Sequence, residues 1–307
     1  MKLVFPWRAG AVALTASDTR AFRSGRGWVS SQEASVVRMV MRVSLVVALM
    51  CCSGAMAAAA DDLYCAQAIV TGQGETNRNV GFGSALEDVL IKVSGAQKLA
   101  GSRRLAVYQS KAKSFVSAFS YHDQMSGKPK RDEQGTRDRP YDLTVDFEAR
   151  KIDDLLHALG LRPWRSHRPV LVAFVEMQLG PKDYMVTSDA GQSSLQRESL
   201  AAAAAKRGMT VVLPSAAALA KADITGTGPG TKTSQASAPV VAELGGEVAL
   251  VGRLVWDDRE LGWATEWQID WHGRTHRWQV RGTNFDEAFR RGIGGAAQIL
   301  SGNGDPA

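Results

Sequence analysis

Two hydrophobic periods alternate along the chain from residue 63 onward. The apolar run 63–70 has the length of a strand and is broken by Thr71-Gly72-Gln73-Gly74. Leu86, Val89, Leu90 and Val93 then recur at i, i+3, i+4 and i+7, which predicts a helix with Gly95 as its left-handed C-terminal cap. Tyr108, Ala112, Phe115 and Phe119 continue a helical spacing and predict a second helix over about 104–119. A charged loop covers 122–140. In 141–148 the period is two: Tyr141, Leu143, Val145 and Phe147 face one way and Asp142, Thr144, Asp146 and Glu148 the other, as in a strand wet on one face. Ile152, Leu155, Leu156 and Leu159 mark a short helix closed by Gly160.

Neither period survives 161–169, which carries Pro163 and Pro169 among basic residues, so the domain junction is placed there. Beyond it, 170–177 is almost uninterruptedly apolar, the pattern of a strand covered on both faces. Ser193 with Gln196 reads as a capping box for a helix through Ala201–Ala205 to Gly208, and 209–213 as the next strand, giving a parallel strand-helix-strand crossover. A short helix is expected over 215–221, a flexible insert over 225–239, a helical turn at 241–244 and a strand at 247–256. Trp263, Thr265, Trp267, Ile269 and Trp271 alternate with polar residues, and His272-Gly273-Arg274 turns the chain into 275–280, which completes a three-stranded antiparallel meander. Phe285, Phe289, Ile293, Ala296 and Leu300 line one face of a closing helix. The fold class is therefore α/β in the broad sense (α+β): two small mixed-sheet domains, 61–162 and 168–303, the second carrying the crossover, the meander and the helix.

Charge is concentrated at the front of the chain. Of 37 basic and 31 acidic residues, seven basic and two acidic ones lie in 1–60, so the remainder is near neutral and gives no support for a nucleic-acid partner. Residues 39–57 read Arg42, an apolar run 43–50 and Ala55-Met56-Ala57, the layout of a cleaved secretory signal peptide, too short to span a bilayer. Residues 1–38 are then expected to be an untranslated or disordered leader, with the start at Met39 or Met41, and the mature chain to be periplasmic and not membrane-spanning. Cleavage after Ala57 leaves Cys65 alone, so stability must come from the core.

Glu87–Gly95, the helix end Leu155–Leu161, and Trp164 followed by Arg168-Pro169 resemble the bacterial DUF2066 family over about residues 61–300. The resemblance implies an exported or envelope-associated protein, with no catalytic residues to carry over. In element order, and in the phrase Leu244–Gly252, the second domain also resembles the amino-terminal domain of TolB and envelope lipoprotein activators.

Candidate chemistry is sparse. Gly226–Thr233 has the look of a phosphate loop, but Thr231 stands where glycine should precede the lysine, and Pro229 removes a backbone donor. His272 and His276 fall in a hairpin rather than on a helix, which leaves no metal site to assign. Asp153, Asp154 and His157 share a helix without a nucleophile beside them. The binding residues to test are Trp164, Arg165 and Arg168 at the junction, which suit an anionic ligand or a clamp between domains. The tryptophan face of the meander reads as core. No catalytic residue and no cofactor is assigned. The expectation is a non-catalytic interaction or assembly module with an envelope protein as partner; the alternatives are an envelope hydrolase with its site at the junction, and a small-ligand sensor.

Overall fold

The computed structural model describes residues 63–127, 131–132, 135–136, 139–189, 191, 193–228 and 233–306. The leader, the signal segment and the two candidate start residues lie outside the described residues.

The first half builds a three-stranded antiparallel sheet. Strand β1 (Cys65–Thr71) leads into helix α1 (Glu75–Ser94). Short helical turns at Gln97–Leu99, Arg103–Leu105 and Ala112–Phe115 flank the four-residue helix α2 (Ala106–Gln109). Strand β2 (Val116–Asp123), the two-residue pair β3 (Arg131–Asp132) and β4 (Gly135–Thr136), strand β5 (Pro140–Phe147) and helix α3 (Ala149–Ala158) complete it. The sheet order is β1-β5-β2. Leu143, Val145 and Phe147 turn inward, where α1 and α3 cover them, as the alternation in 141–148 predicts.

The expected helix over 104–119 is not formed. Helical geometry is broken at Ser110-Lys111, and the chain from Val116 pairs with β5, setting Phe119 opposite Val145 and Tyr121 opposite Leu143. Helical spacing of Tyr108, Ala112 and Phe115 carried the reading one element too far. From Val116 the aromatics gain more from the sheet, where Tyr121 meets Tyr141 of β5 edge-on at 5.9 Å and Phe119 meets Phe82 of α1 edge-on at 5.3 Å.

The second half is a six-stranded mixed sheet. Its elements are β6 (Leu171–Leu179), β7 (Lys182–Val186), α4 (Ser194–Lys206), β8 (Val211–Val212), α5 (Ala216–Lys221), α6 (Thr233–Glu243), β9 (Val248–Asp257), β10 (Gly262–Trp271), β11 (Arg274–Thr283) and α7 (Phe285–Leu300). The order is β11-β10-β9-β6-β7, with β8 parallel to β6 at Leu171 and Val172. Strand β6 also runs parallel to β9, so it is the central strand, and its apolar run is buried on both sides. Leu171, Ala173, Val175 and Met177 join the core under α4 and α7, while Val172 and Phe174 join a smaller core under α5 and α6.

Three local expectations change. Strand β7, led by exposed Lys182 and Asp183, carries too little apolar signal to be read, and it intervenes between β6 and the crossover helix. Ser193 precedes α4 with φ 61° and makes no side-chain cap, so the capping box is absent. Helix α6 starts at Thr233, inside the stretch read as an insert.

The meander is as predicted, and its centre is Trp267, which is 1 % exposed. Its indole lies between a strand and a helix: a Cβ on Gly252 of β9 would come within 2.4 Å of the ring, and a Cβ on Gly292 of α7 also within 2.4 Å. Both positions must be glycine because the ring fills the space a side chain would need. Phe289 of α7 meets the same indole edge-on at 6.3 Å, and the Trp267 indole N–H donates to Thr265 Oγ1 at 3.2 Å. The closing helix therefore covers the tryptophan face. Truncating so large a buried side chain costs about 3–5 kcal/mol, so Trp267→Ala should depress the melting temperature steeply. Gln268→Ala, on the opposite face of β10, should change stability by no more than about 0.5 kcal/mol. Thermal unfolding of the two variants checks this; a Trp267→Ala protein that melts with wild type would contradict the clamp.

Candidate functional site

The two sheets meet at the C-terminal end of α1. A helix leaves its last carbonyls without internal partners. Gly95, at φ 74°, returns its N–H to Ile91 O. The carbonyls beyond Ile91 are taken by the other half. Trp164 N–H donates to Val93 O at 2.8 Å, Arg168 Nη2 to Lys92 O at 2.8 Å, and Asn303 Nδ2 to Ser94 O at 2.9 Å. A guanidinium at the negative end of a helix is favourable electrostatically as well as by hydrogen bonding.

The three junction residues take different places. Trp164 is 7 % exposed, and the Arg168 guanidinium sits 4.3 Å from its ring centroid, a cation–π pair. Arg168 also donates through Nη1 to Arg207 O at 3.0 Å. Burial pulls its pKa down to about 10, so it is still charged at neutral pH. Trp164 and Arg168 thus form one unit whose donors go to backbone carbonyls of both halves. Arg165 points elsewhere, with 73 % of its side chain exposed, and pairs with Asp153. Asp153 in turn accepts from the Tyr64 hydroxyl at 2.9 Å.

Beside this seam opens a cavity of about 480 Å³ that the sequence reading did not single out. Helix α1 contributes Glu87 and Asp88, the end of α4 Lys206 and Arg207, α7 Glu287, Arg290 and Arg291, the turn after α1 Gln97 and Lys98, and β11 Trp278. Arg207 is the deepest charge, with 2 % of its side chain exposed. Its Nε donates to Gln97 Oε1 at 2.8 Å and its Nη1 to Asp88 Oδ1 at 3.3 Å. Desolvation lowers the Arg207 pKa, and the neighbouring Asp88 opposes that shift. Asp88 is shared with Lys206 at 3.1 Å, and Glu287 with Arg290 and Arg291.

Sequence signals for this cavity were weak for physical reasons. Arg207 follows an alanine run at a helix end, where a basic residue normally serves the helix dipole in solvent. Glu287 with Arg290 and Arg291 has i, i+3 and i+4 spacing, the usual form of a surface ion pair. The other motifs find structural partners. Thr227 donates its N–H, at 2.6 Å, and its hydroxyl, at 3.1 Å, to the buried Glu176, so the described part of the phosphate-loop-like stretch serves a carboxylate. His276 on β11 pairs with Asp305, while His272 occupies the turn and meets Trp271 at 4.5 Å.

One titration follows from the Tyr64–Asp153–Arg165 chain. Burial first, and the bond to Asp153 second, raise the Tyr64 pKa from 10.0 to about 12. The folded state holds this proton more firmly than the unfolded one. The resulting stabilisation is complete below pH 10 and is lost as pH rises towards 12. Tyrosinate absorbance should show a late-titrating tyrosine in the native protein, and Asp153→Asn should move it back towards 10. A titration unchanged by that substitution would contradict the link.

Comparison with known families changes the resemblance drawn from the sequence. A family model described as a domain of unknown function, DUF8605, matches residues 57–165. That is a different family from DUF2066, and neither the DUF2066 nor the TolB-like likeness is supported. Two of the phrases that suggested DUF2066 are helix ends: Glu87–Gly95 and Leu155–Leu161 carry Gly95 and Gly160, at φ 74° and 77°, a left-handed glycine that many amphipathic helices share. No curated protein matches the chain. Residues 57–165 are thus similar to the domain of unknown function DUF8605.

Proposed function

We propose that this protein is an exported, non-catalytic binding module of a Gram-negative cell envelope, which holds a small ligand or an envelope partner through the seam between its two sheets. The observation that carries the reading is the polar cavity, whose walls come from α1, α4, β11 and α7 and therefore exist only when both halves are assembled. Its charged groups are held in pairs by Asp88 and Glu287, an arrangement that fixes donors in place without setting a nucleophile beside a general base. The signal-like layout of 39–57 supports export. The tryptophan-rich sheet, being covered by α7, is a poor platform for a ligand, which moves the sensor alternative to the cavity.

An envelope hydrolase is the second reading, favoured by one feature: three carboxylates, Glu87, Asp88 and Glu287, line a cavity of substrate size. Two measurements separate the readings. The native protein should be released with the periplasmic fraction, with its amino terminus near Ala58; retention in the cytoplasmic fraction would contradict the export reading, and recovery of peptides from 15–38 would contradict a start at Met39 or Met41. Purified protein should leave isolated cell-wall material intact. Release of soluble fragments, abolished by Glu87→Gln or Glu287→Gln, would establish the hydrolase instead.

A further inference from the structure

We propose that the seam cavity is a binding site for a phosphate-type dianion carried on a small molecule. This rests on reading the cavity as a binding site, and adds the chemical class of what it binds. Three observations converge. Five cationic side chains line the cavity against three carboxylates, an excess of two positive charges. The cations are Lys98, Lys206, Arg207, Arg290 and Arg291, and they come from three separate parts of the fold, so they approach from different directions. That geometry suits the three acceptor oxygens of a tetrahedral group better than the single plane of one carboxylate.

The donors at the back of the cavity are also underused. Arg207 spends Nε on Gln97 and Nη1 on Asp88 and Lys206 O, which leaves Nη2 as the guanidinium nitrogen available to a ligand. The Trp278 indole N–H, on the β11 wall, is buried without an acceptor among the described residues. No matching surplus of unmet acceptors is present at these positions: Asp88 and Glu287 each already accept from two cations, and Glu87 accepts from Gly101 N–H at 3.0 Å and from Gln109 at 2.8 Å. At about 480 Å³ the space exceeds what a bare phosphate fills, and the apolar flank made by Trp278 and Val280 fits the rest of a phosphorylated small molecule.

Calorimetric titration of the mature full chain at low salt tests this, using inorganic phosphate, glucose 6-phosphate, glucose and succinate as probes. Phosphate and glucose 6-phosphate should bind, the latter more tightly, with affinity falling as salt is raised; glucose and succinate should not. Arg207→Met is the direct variant, but its buried site puts folding at risk. Lys206→Ala and Arg291→Ala stand at the cavity rim, and each should weaken phosphate binding by about fivefold to tenfold with the melting temperature nearly unchanged. If both phosphates fail to bind folded wild type, if succinate binds as well as phosphate, or if the rim variants bind like wild type, the proposal is overturned. Tighter binding of free phosphate than of the sugar phosphate would overturn the small-molecule part. Release of inorganic phosphate from glucose 6-phosphate would overturn the non-catalytic reading of the protein while leaving the dianion site standing.

Discussion

Helix α1 ends on carbonyls that it cannot satisfy itself, and the protein joins its two halves by satisfying them from the other side. Lys92, Val93 and Ser94 present their oxygens to Arg168, Trp164 and Asn303, residues drawn from the junction and from the chain end after α7. Unmet backbone acceptors in so buried a place would cost about 1–3 kcal/mol each. The two sheets are thereby fixed in one relative position, and Arg168 cannot leave without exposing several groups at once. Arg207, Gln97 and Gln298 extend the same seam: Lys98 N–H donates to Gln298 Oε1 at 2.8 Å, and Arg207 reaches back to Asp88.

Packing in the second half supplies the rigid counterpart. Gly252 and Gly292 let β9 and α7 approach the Trp267 ring from two sides, and Gly295 does the same for Trp278. With α7 locked to the sheet in this way, Arg290, Arg291 and Gln298 are held at fixed positions along one helix where they line the cavity. The precision of the cavity thus derives from close-packed glycine and tryptophan several residues away from it.

Legibility in the sequence followed the length scale of each interaction. The alternation in 141–148, the apolar run of β6 and the tryptophan period of β10 reported burial on sheet faces, which depends on neighbours two residues apart, and those elements formed as expected. Phe119 was misread because a helical spacing and a strand edge compete over a few residues, and the choice is made by β5, which lies more than twenty residues away in the chain. Strand β7 was missed because an edge strand can be polar. At the junction, Trp164 and Arg168 stood out as aromatic and basic residues between prolines, and the structure shows them joined to each other and to α1. Arg207 was invisible: nothing in its local sequence distinguishes a buried guanidinium from a solvated one, because its partners Asp88 and Gln97 are more than a hundred residues away.

The central claim is that the α1 carbonyl joint makes the two halves one cooperative structure. Native-state hydrogen exchange, read for the most protected amides of β5 in the first sheet and of β10 in the second, tests it directly. In the wild-type protein both sets should exchange with the same opening free energy. In Arg168→Met, which keeps the length of the side chain but removes its donors, protection of β5 should fall below that of β10 by at least about 1 kcal/mol. Equal and undiminished protection of both strands in Arg168→Met, or different opening free energies already present in the wild-type protein, would contradict the account.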